Sequence, residues 1–207
     1  MAPPTKRSTT TKHPRKVPSP KLPIFLSASV PNRTPYSRHS DPIAIREAIL
    51  ALIAVAARER LIVFGGHPAI SPLVEHAARS LGALHNIVIY QSRFFQSEVP
   101  KEARAFQHFH WTKTRRNRDS SLEFMRSEMI RSQAFCAAVF IGGMEGILDE
   151  SRMFKEFHPQ SVILPIASTL GAAKKLFDSG EGPEDQLIRQ KLRDNTRYRA
   201  LFRIILP

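Results

Sequence analysis

Cysteine, acidic side chains and long apolar runs are all scarce in this sequence, and each shortage removes a class of protein. The single cysteine, Cys136, has no partner for an internal disulfide. A disulfide scaffold and a Cys-based zinc site are therefore excluded, and a reducing, cytoplasmic setting is expected. The longest uncharged stretches, 61–74 and 160–173, are interrupted by glycine, proline or polar residues. Both fall short of the ~18 apolar residues that a membrane-crossing helix needs, so no membrane partner is expected. Acids number 18 against 31 lysines and arginines, a net charge of +13 on 207 residues. That length suits one ordinary domain.

The positive charge is uneven. Lys6, Arg7, Lys12, Arg15, Lys16 and Lys21 fall within residues 1–23 with no acid among them, beside six of the 16 prolines and a Ser/Thr run. Such a segment buries no core, so residues 1–22 are expected to be a disordered basic tail, without the apolar stretch of a secretory signal. Two readings stand for it: loose contact with nucleic acid or another polyanion through phosphates, and a solvated extension with no partner. The domain is expected over 23–207, with 183–207 as a terminal helical extension.

From Leu22 onward, short apolar runs alternate with amphipathic segments. Ile24-Phe25-Leu26, Leu61–Phe64, Ile87–Tyr90, Ala137–Ile141 and Val162–Ile166 read as strands. Between them, helical spacing over 42–56, from Ser71, from Ser120 or Ser121, from about Gly146 to Phe157 and over 171–177 reads as helices. The terminal segment 184–205 reads as one or two more. Asp41 is placed to cap the first helix and Pro42 to open it, with Ile45, Ile49, Leu52, Ile53 and Ala56 on one face. This alternation predicts an α/β architecture, a mostly parallel sheet of about five strands with helices on both faces.

In such a sheet the ligand sits beyond the carboxyl ends of the strands. Four strand-to-helix turns are rich in small residues, the first and last with hydroxyls: Ser27-Ala28-Ser29, Gly65-Gly66-His67-Pro68, Gly142-Gly143-Met144-Glu145-Gly146 and Ala167-Ser168-Thr169-Leu170-Gly171. Glycine admits close approach of a phosphate, and the following helix N-terminus favours its charge. Tight turns also favour glycine for steric reasons alone; four such turns on one edge point to a nucleotide or phosphosugar pocket. Two charges interrupt apolar stripes close by. Arg126 lies within Leu122, Met125, Met129 and Ile130, and Glu150 lies between Ile147 and Phe154. A charge on a core-facing stripe needs a partner or a ligand. Either the two pair with each other, or Arg126 holds a phosphate while Glu150 accepts from a ribose hydroxyl or serves as an acid/base group.

These motifs, taken in order with Phe64-Gly65-Gly66-His67-Pro68 and Met125-Arg126, resemble the SLOG superfamily over roughly Leu22 to Phe177. The likeness is strongest to the branch found in prokaryotic conflict and defence systems. The resemblance implies a Rossmann-like fold that binds nucleotides or NAD derivatives, with no required cofactor. It also implies homo-oligomers and signal sensing passed to a separate effector. LOG-type members are phosphoribohydrolases, and by that likeness Arg126 and Glu150 would be catalytic. Ile141 stands where that pattern has proline, Ile147 where it has threonine, and Glu150 fits only with one residue inserted.

The segment from Gln91 to Ser120 is long for a connection. It holds Phe94, Phe95, Phe106, Phe109 and Trp111 ahead of Lys113, Arg115, Arg116 and Arg118. These aromatics either stack bases or cover a nucleotide, or they pack on the domain beside a solvated basic edge. His108 and His110 lack a second ligand cluster, so no metal site is expected. Cys136 reads as a small buried side chain.

Overall fold

A computed structural model describes residues 21–207. The basic tail, apart from Lys21 and Leu22, lies outside the described residues. In chain order the elements are β1 (Ile24–Ser29), α1 (Pro42–Ala56), β2 (Ile62–Gly65), α2 (Ser71–Ser80), β3 (Ile87–Ser92), β4 (His108–Thr112) and α3 (Arg118–Arg131). β5 (Ala137–Gly142), α4 (Glu145–Phe157), β6 (Val162–Ile166), α5 (Gly171–Asp178), α6 (Gln186–Asp194) and α7 (Tyr198–Ile205) follow. Short 3₁₀ turns cover Tyr36–His39, Leu84–Asn86, Arg93–Glu98, Lys101–Ala105 and Ala167–Thr169.

The strands form one six-stranded sheet in the order β4-β3-β2-β1-β5-β6. Every pairing is parallel. The sequence pattern predicts about five strands; the sixth, β4, lies inside the long segment after β3. Its pattern His108-Phe109-His110-Trp111 alternates rather than running apolar, because one face of this edge strand is left open, whereas β6 at the other edge is covered by α5 and α6. Phe109 and Trp111 are half-buried neighbours with ring centroids 4.7 Å apart, while His108 and His110 are exposed.

Alternation along the strands builds two cores. Ile24, Leu26, Ile62, Phe64, Val139 and Ile141 face α1, α2 and α7. Phe25, Val63, Ala138 and Phe140 face α3, α4 and α5 through Met129, Ile130, Ile147, Phe154 and Leu176. Each fully buried Phe or Ile contributes about 1.5–3 kcal/mol. Asp41 caps α1 by accepting the Ala44 N–H at 2.9 Å, and Pro42 opens its first turn. α3 begins earlier than Ser120, because Asn117 and Ser120 form a reciprocal capping box. In the terminal segment, Leu192, Tyr198, Leu201 and Phe202 lie within the first core.

Among the described residues no helix is long and apolar enough to cross a membrane. Phe95 and Phe106 of the long segment are buried, Phe106 edge-on to Phe64 at 5.9 Å. Phe94 stays 41% exposed. Cys136 is half-buried rather than fully enclosed, its Sγ 3.1 Å from the Arg60 guanidinium.

Candidate functional site

All six carboxyl ends share one edge of the sheet, and the strand order reverses between β1 and β5. Helices leave these two strands on opposite faces, the arrangement in which open α/β sheets bind ligands in the crevice outside the two strand ends. Ser27, Ala28 and Ser29 pair with Phe140, Ile141 and Gly142 at that point. The Ser29 carbonyl then accepts the Gly143 N–H at 2.8 Å, which carries the pairing into the turn.

A charged chain crosses this crevice. Ser27 donates its hydroxyl to Glu150 Oε2 at 2.5 Å, and Arg126 Nε donates to Glu150 Oε1 at 3.1 Å. Arg126 Nη1 also lies 3.5 Å from Asp149 Oδ2, and Arg152 reaches the other oxygen of Asp149 at 3.2 Å. The Arg126 and Glu150 side chains are 16% and 15% exposed, so both charges are largely removed from water and compensated by each other. The two stripe-breaking residues thus meet, and both carboxylate oxygens of Glu150 are engaged.

Gly146 explains how the guanidinium reaches this position. A Cβ built on Gly146 would lie 2.4 Å from Arg126 Nη2, so a side chain there would push the guanidinium aside. Nη2 therefore lies against the first turn of α4, whose start, Met144, supplies no side-chain cap. Unbonded N–H groups at a helix start, with a guanidinium beside them, suit a phosphate. Glu145, exposed in that first turn, is turned toward Arg33 of the β1–α1 loop at 3.4 Å.

The floor is glycine by necessity. Gly142 and Gly143 have φ of 60° and 81°, and a Cβ on either would strike Ile45 or Ile147. Thr169 is fully buried; its Oγ1 accepts the Gly142 N–H at 2.9 Å and donates to the Ile166 carbonyl at 2.6 Å. It braces the floor from below. Ser168 faces away, donating to the Asn195 carbonyl at 3.1 Å beside the Tyr198 hydroxyl.

The β2 turn lies on the other side of β1. Gly66 is held by packing on Ile89, and its carbonyl accepts from Gln91 Nε2 at 2.9 Å. Gly65 sits below Met125 of α3. His67 Nδ1 accepts the Ala69 N–H at 3.2 Å, and burial holds its imidazole below the ordinary 6.5. The Ser27, Gly142–Gly146, Arg126 and Glu150 group is brought together at the crevice, whereas Ser168, Thr169 and the Gly65–His67 turn hold its surroundings. Among the described residues, no group of three His, Cys, Asp or Glu side chains could hold a metal ion.

Sequence reasoning missed Asp149, Arg33, Tyr36 and Lys175, and read Leu170 only as a member of the last small-residue turn. Asp149 precedes Glu150 on the half-exposed side of α4, where acids are ordinary. Leu170 has φ 60° and ψ −153°, a backbone state that nothing in a leucine announces.

A search of curated proteins finds no match to the chain. The SLOG cluster3 family model matches residues 35–206, from the β1–α1 loop to the end of α7, so Arg126, the glycine turn and Glu150 lie within the match and Ser27 ahead of it. With the matched region spanning most of the chain, this Rossmann-like protein belongs to the SLOG cluster3 family.

Proposed function

We propose that the protein binds a nucleotide-derived ligand, NAD-related or another nucleotide signal, in the β1/β5 crevice and acts as its sensor. The observation that carries this reading is the placement of Arg126 against the uncapped first turn of α4, at the point where the strand order reverses. There Nη2 and the α4 N–H groups take a phosphate, while the Ser27–Glu150 pair faces the sugar. Binding shifts the protein between states that a separate effector reads, in a defence system and within a homo-oligomer. Family membership supports the nucleotide class.

A second reading, a LOG-like N-glycosidase, draws on the meeting of Arg126 and Glu150 at one crevice. It requires Glu150 to be released from Ser27 and Arg126 before it can assist departure of a base. The test incubates the full chain with NAD, ADP-ribose, cyclic ADP-ribose and AMP, following binding by thermal shift and turnover by HPLC. Stabilisation without turnover, lost in Arg126→Ala, is the expected result. Base release abolished by Glu150→Gln would establish the glycosidase instead. Neither effect, with affinity only for oligonucleotides and falling steeply with salt, would move the function to nucleic-acid binding through the basic segments.

A further inference from the structure

A second depression opens on the same edge of the sheet, beyond the crevice floor. Its volume is about 280 Å³, and Pro35, Tyr36, His39, Leu170, Lys174 and Lys175 wall it. Whole small-molecule sites run to ~300–1,000 Å³, so this space suits a single ring system rather than an entire nucleotide. Its walls combine a proline ring, a leucine, a tyrosine ring and the aliphatic stems of two lysines with His39 and the Lys174-paired Asp178.

Two features distinguish it from a packing gap. Leu170 is the one non-glycine residue with positive φ among the described residues. Its backbone is pinned by a bridge to Ser40, and the next residue, Gly171, packs so closely on Gly142 and Gly143 that a Cβ would lie 2.9 Å from their backbone atoms. A strained residue persists where its surroundings over-determine it, and such residues gather at ligand clamps. The second feature is Lys175. Its ammonium lies 4.2 Å from the centroid of the Tyr36 ring, while its neighbour Lys174 is paired with Asp178 at 2.7 Å. Among the described residues no carboxylate pairs with Lys175, so a cation at the rim is free to donate.

We propose that this depression receives the base of the ligand whose phosphate end lies at Arg126, an inference that rests on the nucleotide reading above. Gly171 joins the two spaces, since it touches the floor glycines on one side and lines the depression on the other. The ring packs against Leu170 and Pro35, and Lys175 donates to an acceptor on the ring edge. The ligand class is thereby narrowed to nucleotides with a heteroaromatic base, and bare phosphosugars are disfavoured.

Calorimetric titration of the full chain with AMP and with ribose 5-phosphate, which share a phosphosugar and differ in the base, tests this. Lys175→Gln and Leu170→Gly are expected to weaken AMP roughly tenfold, the loss of one good contact in a pocket, and to leave ribose 5-phosphate unchanged. Leu170→Gly relieves the positive φ, so its thermal unfolding serves as the check that the fold is intact. Arg126→Ala weakens both ligands. If both pocket variants bind AMP like wild type while Arg126→Ala does not, the base pocket is refuted and the crevice reading survives. If the wild-type protein binds neither compound, both fall.

Discussion

Gly146→Ala separates helix propensity from the geometry of the site. At an open helical position alanine is worth up to about 1 kcal/mol over glycine, so propensity alone predicts a gain. The added methyl would instead sit 2.4 Å from Arg126 Nη2, closer than the two groups can approach, and the guanidinium would have to move. Moving the guanidinium releases its 3.1 Å bond to Glu150 and its 3.5 Å approach to Asp149. A hydrogen bond between charged groups contributes about 1.5–3 kcal/mol, and water replaces little of it where both side chains are about 15% exposed. The expected net effect is a loss of about 1–2 kcal/mol. In an Arg126→Met background the clash is gone, and the same substitution should stabilise by up to about 1 kcal/mol. Urea denaturation of the four proteins in this cycle measures the coupling directly. A coupling below about 0.5 kcal/mol, the usual additivity error, would refute the account of why residue 146 is glycine.

The brace under the floor and the half-buried His67 imidazole give two further tests. Thr169→Val leaves the buried Gly142 N–H without its acceptor and should cost about 1–3 kcal/mol in chemical denaturation, whereas Thr169→Ser should retain most of the stability; equal stability of the three proteins would show that the 2.9 Å bond does not hold the turn. Burial lowers the His67 pKa from its ordinary 6.5, so the unfolded chain takes up this proton first. The contribution is present at neutral pH and is lost as pH falls below 6.5 toward the folded-state value. His67→Asn, which keeps an acceptor for the Ala69 N–H, should remove that part of the slope. The stability advantage of wild type over the variant should therefore shrink between about pH 7 and pH 5, and a constant difference would show that the ring is not held neutral by burial.

Arg126 and Glu150 were legible because a charge inside an apolar stripe is costly and so announces a partner. What the stripe left open was the partner's identity, and the structure supplies it: each compensates the other across the crevice. The apolar runs of the other five strands were legible for a related reason, since a strand covered on both faces is mostly apolar and its few polar residues, Ser27, Gln91 and Ser92 among them, fall toward the carboxyl end. β4 obeys a different rule. With one face open it alternates, and the period-two pattern of Phe109 and Trp111 interleaved with His108 and His110 was the available signal. The hydroxyls of Ser168 and Thr169 were read by position alone. Position on a loop does not fix direction, and one faces Asn195 while the other is buried under Gly142. Tyr36, Leu170 and Lys175 come together only through tertiary packing of the β1–α1 loop on α5, which no local pattern encodes.

The pairing of Arg126 with Glu150 need not compete with an anion. A guanidinium carries five donors in a rigid fork. Here Nε serves Glu150 and Nη1 approaches Asp149, while Nη2 points across Gly146 at the start of α4. On the proposed reading, Glu150 holds the plane of the fork by one edge and leaves another for a phosphate, so binding would add contacts instead of exchanging them. The fork is set before the ligand arrives, which cuts the ordering cost of binding. Under that arrangement the carboxylate is a positioning group tied at both oxygens, and a glycosidase would need the reverse, a carboxylate left free to meet the departing base. The Ser27 hydroxyl on Oε2 is therefore the contact whose presence separates the two readings most sharply.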